Sequence, residues 1–185
     1  MDNKSHLYTI GYVIISNDCF IANSTGVMPS GLKNDLDWQY FQSELNNSDL
    51  ILIGRKSYVN FHKSKRNRLI PTSKIKDIEV EKSDLCFFNP RKILIEDAIK
   101  IFLPKVEKIA VVGGNKVYEL VFNSIGFNEF HLTVANSFYM NEGILFNDNT
   151  KSLNDIYHLM DKNELKLSEK RNLDKNVTLY IFKKL

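Results

Sequence analysis

The chain has 185 residues with 25 Lys and Arg against 22 Asp and Glu, a net charge of +3, 43% hydrophobic and 11% aromatic residues. That balance excludes a disordered chain, and positive charge this modest and scattered suits an anionic cofactor or substrate without arguing for nucleic acid. With no Cys-x-x-Cys pair at Cys19 and Cys86, no ligand spacing among His6, His62, His131 and His158, no apolar run near the ~20 residues of a membrane helix and no basic-then-apolar leader, the expectation is one cytoplasmic domain without disulfide, metal or membrane anchor.

Residues 7–15 form a nearly continuous apolar run, as in a central strand covered on both faces. Phe20-Ile21-Ala22 follows a turn at Ser16-Asn17-Asp18, and residues 23–34 are rich in turn formers, a loop of the length that often carries function. A helix comes next, capped by Asp35 or Asp37, with Trp38, Phe41 and Leu45 on an apolar face, ending at Asn46-Asn47-Ser48. Leu50-Ile51-Leu52-Ile53 reads as a second buried strand, which runs into Gly54 and the helical start Arg55-Lys56-Ser57-Tyr58. The basic cluster Lys63, Lys65, Arg66 and Arg68 reads as a solvated loop.

Leu69-Ile70, which leads to Pro71-Thr72-Ser73, and Leu85-Cys86-Phe87-Phe88 are short strands; residues 96–103 are helical with Pro104 as the stop. Ile109-Ala110-Val111-Val112 is a buried strand that turns through Gly113-Gly114 into a helix from Lys116 to Phe122. Residues 129–135 form a strand, and Leu153, Ile156, Tyr157 and Met160 make a short amphipathic helix. Two closing strands, near 165–167 and over 177–182, are joined by a turn at 172–176 and must pair antiparallel. The predicted architecture is a βαβ-type parallel sheet finished by a hairpin.

Ligands of such sheets bind at the carboxyl ends of the strands. Both glycine corners, the Pro71-Thr72-Ser73 segment and the loop ending in Asp35 and Asp37 fall at that end. Glycine allows a backbone to approach a phosphate at a helix start. Arg55, Lys56, Ser57, Thr72, Ser73 and Lys116 supply the cationic and hydroxyl groups that a nucleotide asks for. The fingerprint Gly-x-Gly-x-x-Gly is absent, so a standard Rossmann site is not expected.

Leu52-Ile53-Gly54-Arg55-Lys56-Ser57-Tyr58, Val112-Gly113-Gly114-Asn115-Lys116-Val117-Tyr118 and Phe130-His131-Leu132-Thr133 occur in an order and spacing that resemble the dihydrofolate reductase superfamily. Within it, Ser16-Asn17-Asp18-Cys19-Phe20-Ile21-Ala22 is similar to a run of the riboflavin-biosynthesis reductases, with Cys19 where they carry glycine. Met28-Pro29 resembles true dihydrofolate reductases, but Ser30 stands where a tryptophan is expected. The resemblance implies an α/β three-layer sandwich, with a mainly parallel sheet of about eight strands and an antiparallel C-terminal hairpin.

It also implies an NADPH-dependent oxidoreductase that transfers a hydride to a C=N or sugar imine group. The substrate is a small nitrogen heterocycle or ribosylamino-pyrimidine, such as the phosphoribosylaminouracil intermediate of riboflavin biosynthesis. Dihydrofolate is the alternative substrate, and a nucleotide-binding protein without catalysis is the alternative class.

By the same resemblance Asp37, or Asp35 in its place, is the active-site carboxylate, which hydrogen-bonds the heterocycle beside Thr133. An N-cap is the competing role for that aspartate. Gly54, Arg55, Lys56, Ser57, Thr72, Ser73 and Ala22 would contact the cofactor. So would Val112, Gly113, Gly114, Asn115, Lys116, Val117 and Tyr118, with Lys116 near the 2′-phosphate and Tyr118 towards the nicotinamide edge. Ile14, Phe41 and Arg66 would line the substrate side, His131 is a structural strand residue, and a homodimer is left open.

Overall fold

The central element is β1 (Tyr8–Ser16), the apolar run that opens the chain. In the computed structural model, which describes residues 7–60 and 65–185 (Asn60 by its backbone), β1 lies between two parallel neighbours. His6, His62 and Lys63 lie outside the described residues. Along the chain follow β2 (Phe20–Ala22), α1 (Asp35–Asn46), β3 (Leu50–Leu52), α2 (Arg55–Asn60), β4 (Arg68–Pro71), β5 (Ile78–Lys82) and β6 (Leu85–Phe88). Then come α3 (Ile95–Phe102), β7 (Lys108–Val111), α4 (Asn115–Phe122), β8 (Glu129–Ala135), β9 (Ile144–Leu145), α5 (Leu153–Lys162), β10 (Leu165–Asn172) and β11 (Val177–Lys184).

Nine strands form one sheet in the order β10-β11-β8-β1-β7-β3-β4-β6-β5, while β2 and β9 pair separately. The six strands from β8 to β6 are parallel; β11 is antiparallel to β8, β10 to β11 and β5 to β6. The dihydrofolate-reductase-like architecture implied by the motifs is therefore present, with one strand more than expected. The extra edge strand, β5, reads Ile-Glu-Val-Glu-Lys and is mostly exposed, so no buried pattern announces it.

Side-chain alternation sorts the core into two layers. Ile10 and Tyr12 of β1, Ile51, Ala110 and Ile70 point to one face, where they meet Leu45 and Phe41 of α1 and Tyr58 of α2. Ile15, Leu50, Leu52, Ile109 and Val111 point to the other, against α3, α4 and α5 through Ile99, Val121 and Ile156. The chain steps one way along the sheet from β1 to β6 and then returns through β7 and β8. Right-handed crossovers on the outward and return paths put their helices on opposite faces.

Three sequence expectations change. Neither Asp35 nor Asp37 caps α1: the cap is Asn34, whose Oδ1 accepts the N–H groups of Leu36 and Asp37. Trp38 is 46% exposed rather than inward, with its ring tilted against Phe41. Arg68 is no part of a solvated loop, because it is buried on β4 and pairs with Asp84 at 2.7 Å. No helix among the described residues is long and apolar enough to cross a membrane.

Candidate active site

The ends of β3 and β7 lie side by side, so the two glycine corners meet. The N–H of Gly54 donates to the carbonyl of Gly113 at 2.7 Å, and Val112 N–H donates to Leu52 O at 3.0 Å. A Cβ on Gly54 would stand 3.1 Å from both Gly113 O and Gly114 N, so the close approach favours glycine: any side chain would make this backbone give by a few tenths of an ångström. Gly113 has φ +96°, and a Cβ there would stand 2.8 Å from Tyr118 Oη. Gly114 is different. Its missing Cβ would meet only Ile21 Cδ1 at 4.0 Å, so this backbone opens to space in front of α4.

Across β1 from these corners, Ile14 and Thr133 are directly paired in the β1–β8 register. Ile14 packs with Leu32 and Ala135, flanked by Phe138 and Met140, to make an apolar floor. Asp37 lies in the first turn of α1, within reach of Thr133. Burial raises its carboxyl above the ordinary carboxylate range, and a hydrogen bond from Thr133 pulls the other way. Asp35 is exposed. Of the two aspartates, only Asp37 is joined to Thr133, which makes it the better candidate carboxylate.

The remaining expected residues divide. Arg55 and Lys56 are exposed at the start of α2, Ser57 is half-buried, and Lys56 lies against Gly26 of the long loop. Thr72 is buried beyond the carboxyl end of β4 with Ser73 exposed beside it. Val112 and Asn115 are half-buried at the corner. Lys116 is held by two carboxylates, Glu119 at 2.9 Å and Asp148 at 3.1 Å, and Asn115 Nδ2 donates to the same Asp148.

Val117 and Tyr118 are core residues instead of lining residues. Both are buried, and Tyr118 Oη donates to the carbonyl of Tyr12 at 2.6 Å from beneath the corner. Their place follows from the helical period, which turns these two positions of α4 to the sheet. Ala22 is buried in β2, and its neighbour Ile21 is the residue that faces Gly114.

Phe41 packs edge-on against Tyr12, one turn below Asp37. Arg66 does not join Asp37. It lies before the amino end of β4, and its guanidinium donates to Gln42 at 3.0 Å and to Asn46, on the later turns of α1.

Sequence reasoning missed Asn34 and a polar group below Asp37. Asn34 caps α1 and also donates its Nδ2 to Asp174 of the C-terminal hairpin at 2.7 Å, which ties the Asp37 turn to that hairpin. Below it, Tyr40 Oη and His131 Nδ1 are 2.7 Å apart, and His131 Nε2 is 2.9 Å from Glu129 Oε2. The alternation of Glu129, His131 and Thr133 on one strand face was visible in the sequence; their partner on α1 was not.

The corner fits a phosphate-bearing nucleotide in its backbone. Gly114 leaves room for one, and Ser57, Thr72, Arg55 and Lys56 bring hydroxyl and cationic groups to the same end of the sheet. Among the described residues, no group of three or more His, Cys, Asp or Glu side chains could hold a metal ion.

No family model matches the sequence, and no curated protein does. The fold is shared with a crystal structure from Shewanella sp. PV-4, provisionally described as that of a riboflavin biosynthesis protein. The match has a TM-score of 0.68 at 12% identity and covers 97% of this chain and 99% of the other. At that identity the likeness establishes a shared fold.

Proposed function

We propose that the chain is an NADPH-dependent reductase of the riboflavin-biosynthesis type, acting on a ribosylamino-pyrimidine or related small nitrogen heterocycle. The observation that carries this is the placement of the half-buried Asp37 beside Thr133, at the same end of the sheet as the joined corners of Gly54 and Gly113-Gly114. The provisional description of the structural neighbour points to the same metabolism.

The backbone at Gly113 and Gly114 would hold the pyrophosphate of the cofactor, with Ser57, Thr72, Ser73, Arg55 and Lys56 on its remaining phosphate and ribose groups. When bound, a reduced nicotinamide supplies a hydride. Asp37 does the rest of the chemistry available to this chain. Its carboxylate accepts N–H groups of the heterocycle and orients the ring over Ile14. With its proton affinity raised by burial, it also holds a proton near the nitrogen that must receive one. Thr133 keeps the carboxylate aimed. The protein would act in the cytoplasm on a small molecule and not on nucleic acid, and light scattering would test the homodimer.

The test follows the absorbance of the reduced nicotinamide band with the phosphoribosylaminouracil intermediate, then with dihydrofolate. Oxidation with the first supports the proposal. Oxidation with dihydrofolate alone moves the enzyme to the folate branch, and cofactor binding without oxidation on either makes it a binding protein.

A further inference from the structure

Beneath Asp37 lies a polar chain, half-buried at Tyr40 and Glu129 and centred on the buried His131, that hydride and proton delivery leave unused. His131 is 5% exposed. The Glu129 carboxylate accepts the Tyr8 hydroxyl at 2.6 Å and pairs with Lys183 at 3.1 Å. Burial alone would raise its proton affinity, but hydrogen bonds from Tyr8, His131 and Lys183 outweigh it and keep the group ionised. An ionised carboxylate only accepts, so Nε2 of His131 carries the hydrogen, and Nδ1 is left to accept from Tyr40.

The direction of bonding is thereby set from Tyr40 through His131 to Glu129. Tyr12 borders the chain with its ring 4.8 Å from the imidazole, and donates its own hydroxyl to Glu44 on α1 at 2.9 Å.

Tyr40 is one helical turn below Asp37, and His131 is two residues below Thr133 on the same strand face. Asp37–Thr133 and Tyr40–His131 are therefore successive rungs between α1 and β8. Phe41 and Leu45 press α1 onto the sheet through apolar contacts, which tolerate sliding along the helix axis. The hydrogen bonds from Tyr40 to the buried imidazole at 2.7 Å and from Tyr12 to Glu44 at 2.9 Å do not, and the first is the one next to Asp37.

We propose that Tyr40 and His131, backed by Glu129, are positioning residues for Asp37: they fix the height of α1 on the sheet and with it the approach of the Asp37 carboxylate to Thr133. The consequence for catalysis rests on the reductase reading above, whereas the consequence for Asp37 does not. Neutral His131 is the working form. Burial lowers its proton affinity most, Lys183 adds to this, and Glu129 and Glu44 oppose it. A proton taken up at Nδ1 would turn that atom from acceptor to donor and force the Tyr40 O–H to swing away.

The test is Tyr40→Phe, which removes one oxygen and keeps the ring that stacks on His131 and lies under Arg171. Expected is a kcat about tenfold lower, with KM for the nicotinamide nucleotide within about twofold. The acid limb of the kcat profile should also shift. His131→Gln, which keeps a donor and an acceptor, should recover part of the kcat that His131→Phe loses. Ile156→Val in α5, on the opposite face of the sheet, should lower Tm and leave kcat unchanged, separating positioning from loss of stability.

A readout that needs no turnover is the carboxyl titration of Asp37 by carbon NMR, which should move towards the ordinary carboxylate range in Tyr40→Phe as water enters under α1. A folded Tyr40→Phe protein whose Asp37 titration and kcat both match the wild type overturns the proposal. If the titration moves while the wild type reduces no substrate, the positioning role stands and the reductase reading falls.

Discussion

Gly54 donates its N–H to the carbonyl of Gly113 at 2.7 Å, so two corners far apart in sequence form one continuous rim at the ends of β3 and β7. The contact explains the first glycine, since a Cβ on Gly54 would press on backbone atoms of Gly113 and Gly114 that have little freedom to yield. Gly54→Ala should cost about 1–3 kcal/mol of stability, the usual penalty of overpacking, in a denaturant titration. Gly114→Ala should leave stability nearly unchanged, because open space lies where its Cβ would go, yet weaken nicotinamide-nucleotide binding by filling that space. Equal stability losses for the two variants would show that the rim is not packed as described.

Asp37 and Asp35 should separate cleanly in turnover. Loss of a positioned acid–base group costs about 10²–10⁴-fold, so Asp37→Asn should fall in that range while the exposed Asp35→Asn stays within about twofold. Stability offers a second check. A carboxyl whose native proton affinity is raised binds more protons in the folded than in the unfolded state. Its contribution is full below the unfolded value and is lost as pH rises through the native one. Asp37→Asn should remove that downward slope from the curve of unfolding free energy against pH. A retained slope would place the buried proton elsewhere.

The strands that build the site were legible because they are largely buried on both faces: β1, β3 and β7 are mostly apolar, β8 alternates apolar residues with Glu129, His131 and Thr133, and glycine follows the ends of β3 and β7. Edge strands gave no such signal. β5 and most of β10 expose their side chains, and Glu169, Lys170 and Arg171 look like a loop until β11 pairs with them. Within the site, a choice between Asp35 and Asp37 cannot be made from helical spacing while the true cap, Asn34, is unknown. The rung of Tyr40 and His131 depends on the height at which α1 docks on β8, which is a tertiary fact and leaves no local pattern.

Cys19 occupies the position where the resemblance expects glycine, and its backbone shows why. It lies at φ +71°, in the left-handed region where a Cβ costs energy, yet its thiol is fully buried in the core beside β1. The two effects oppose each other. Cys19→Gly loses the packed sulfur and relieves about 1–2 kcal/mol of backbone strain, whereas Cys19→Ala loses the sulfur and keeps the strain. The alanine variant should therefore be the less stable of the two by about 1 kcal/mol in thermal or urea unfolding. The opposite order would mean that the turn at Ser16-Asn17-Asp18 relaxes to negative φ when the thiol is gone.

Lys116 was expected to recognise a 2′-phosphate, but Glu119 and Asp148 already hold its ammonium. All three side chains are exposed, so these pairs are screened by salt and exchange readily with a competing anion. The cluster nevertheless sums to one negative charge at the corner, which disfavours a dianionic phosphate there. Asp148→Asn should raise the affinity ratio of NADPH over NADH by about threefold in low-salt buffer, with the gain fading at high salt as the Debye length shrinks. The sharper measurement is the coupling between the two residues. Lys116→Ala should change the ratio little when Asp148 is present and much more in the Asp148→Asn background, because only there is the ammonium available to the phosphate. An equal effect of Lys116→Ala in both backgrounds would mean that Asp148 does not compete for the lysine, and that Arg55 and Lys56 at the neighbouring corner carry the discrimination.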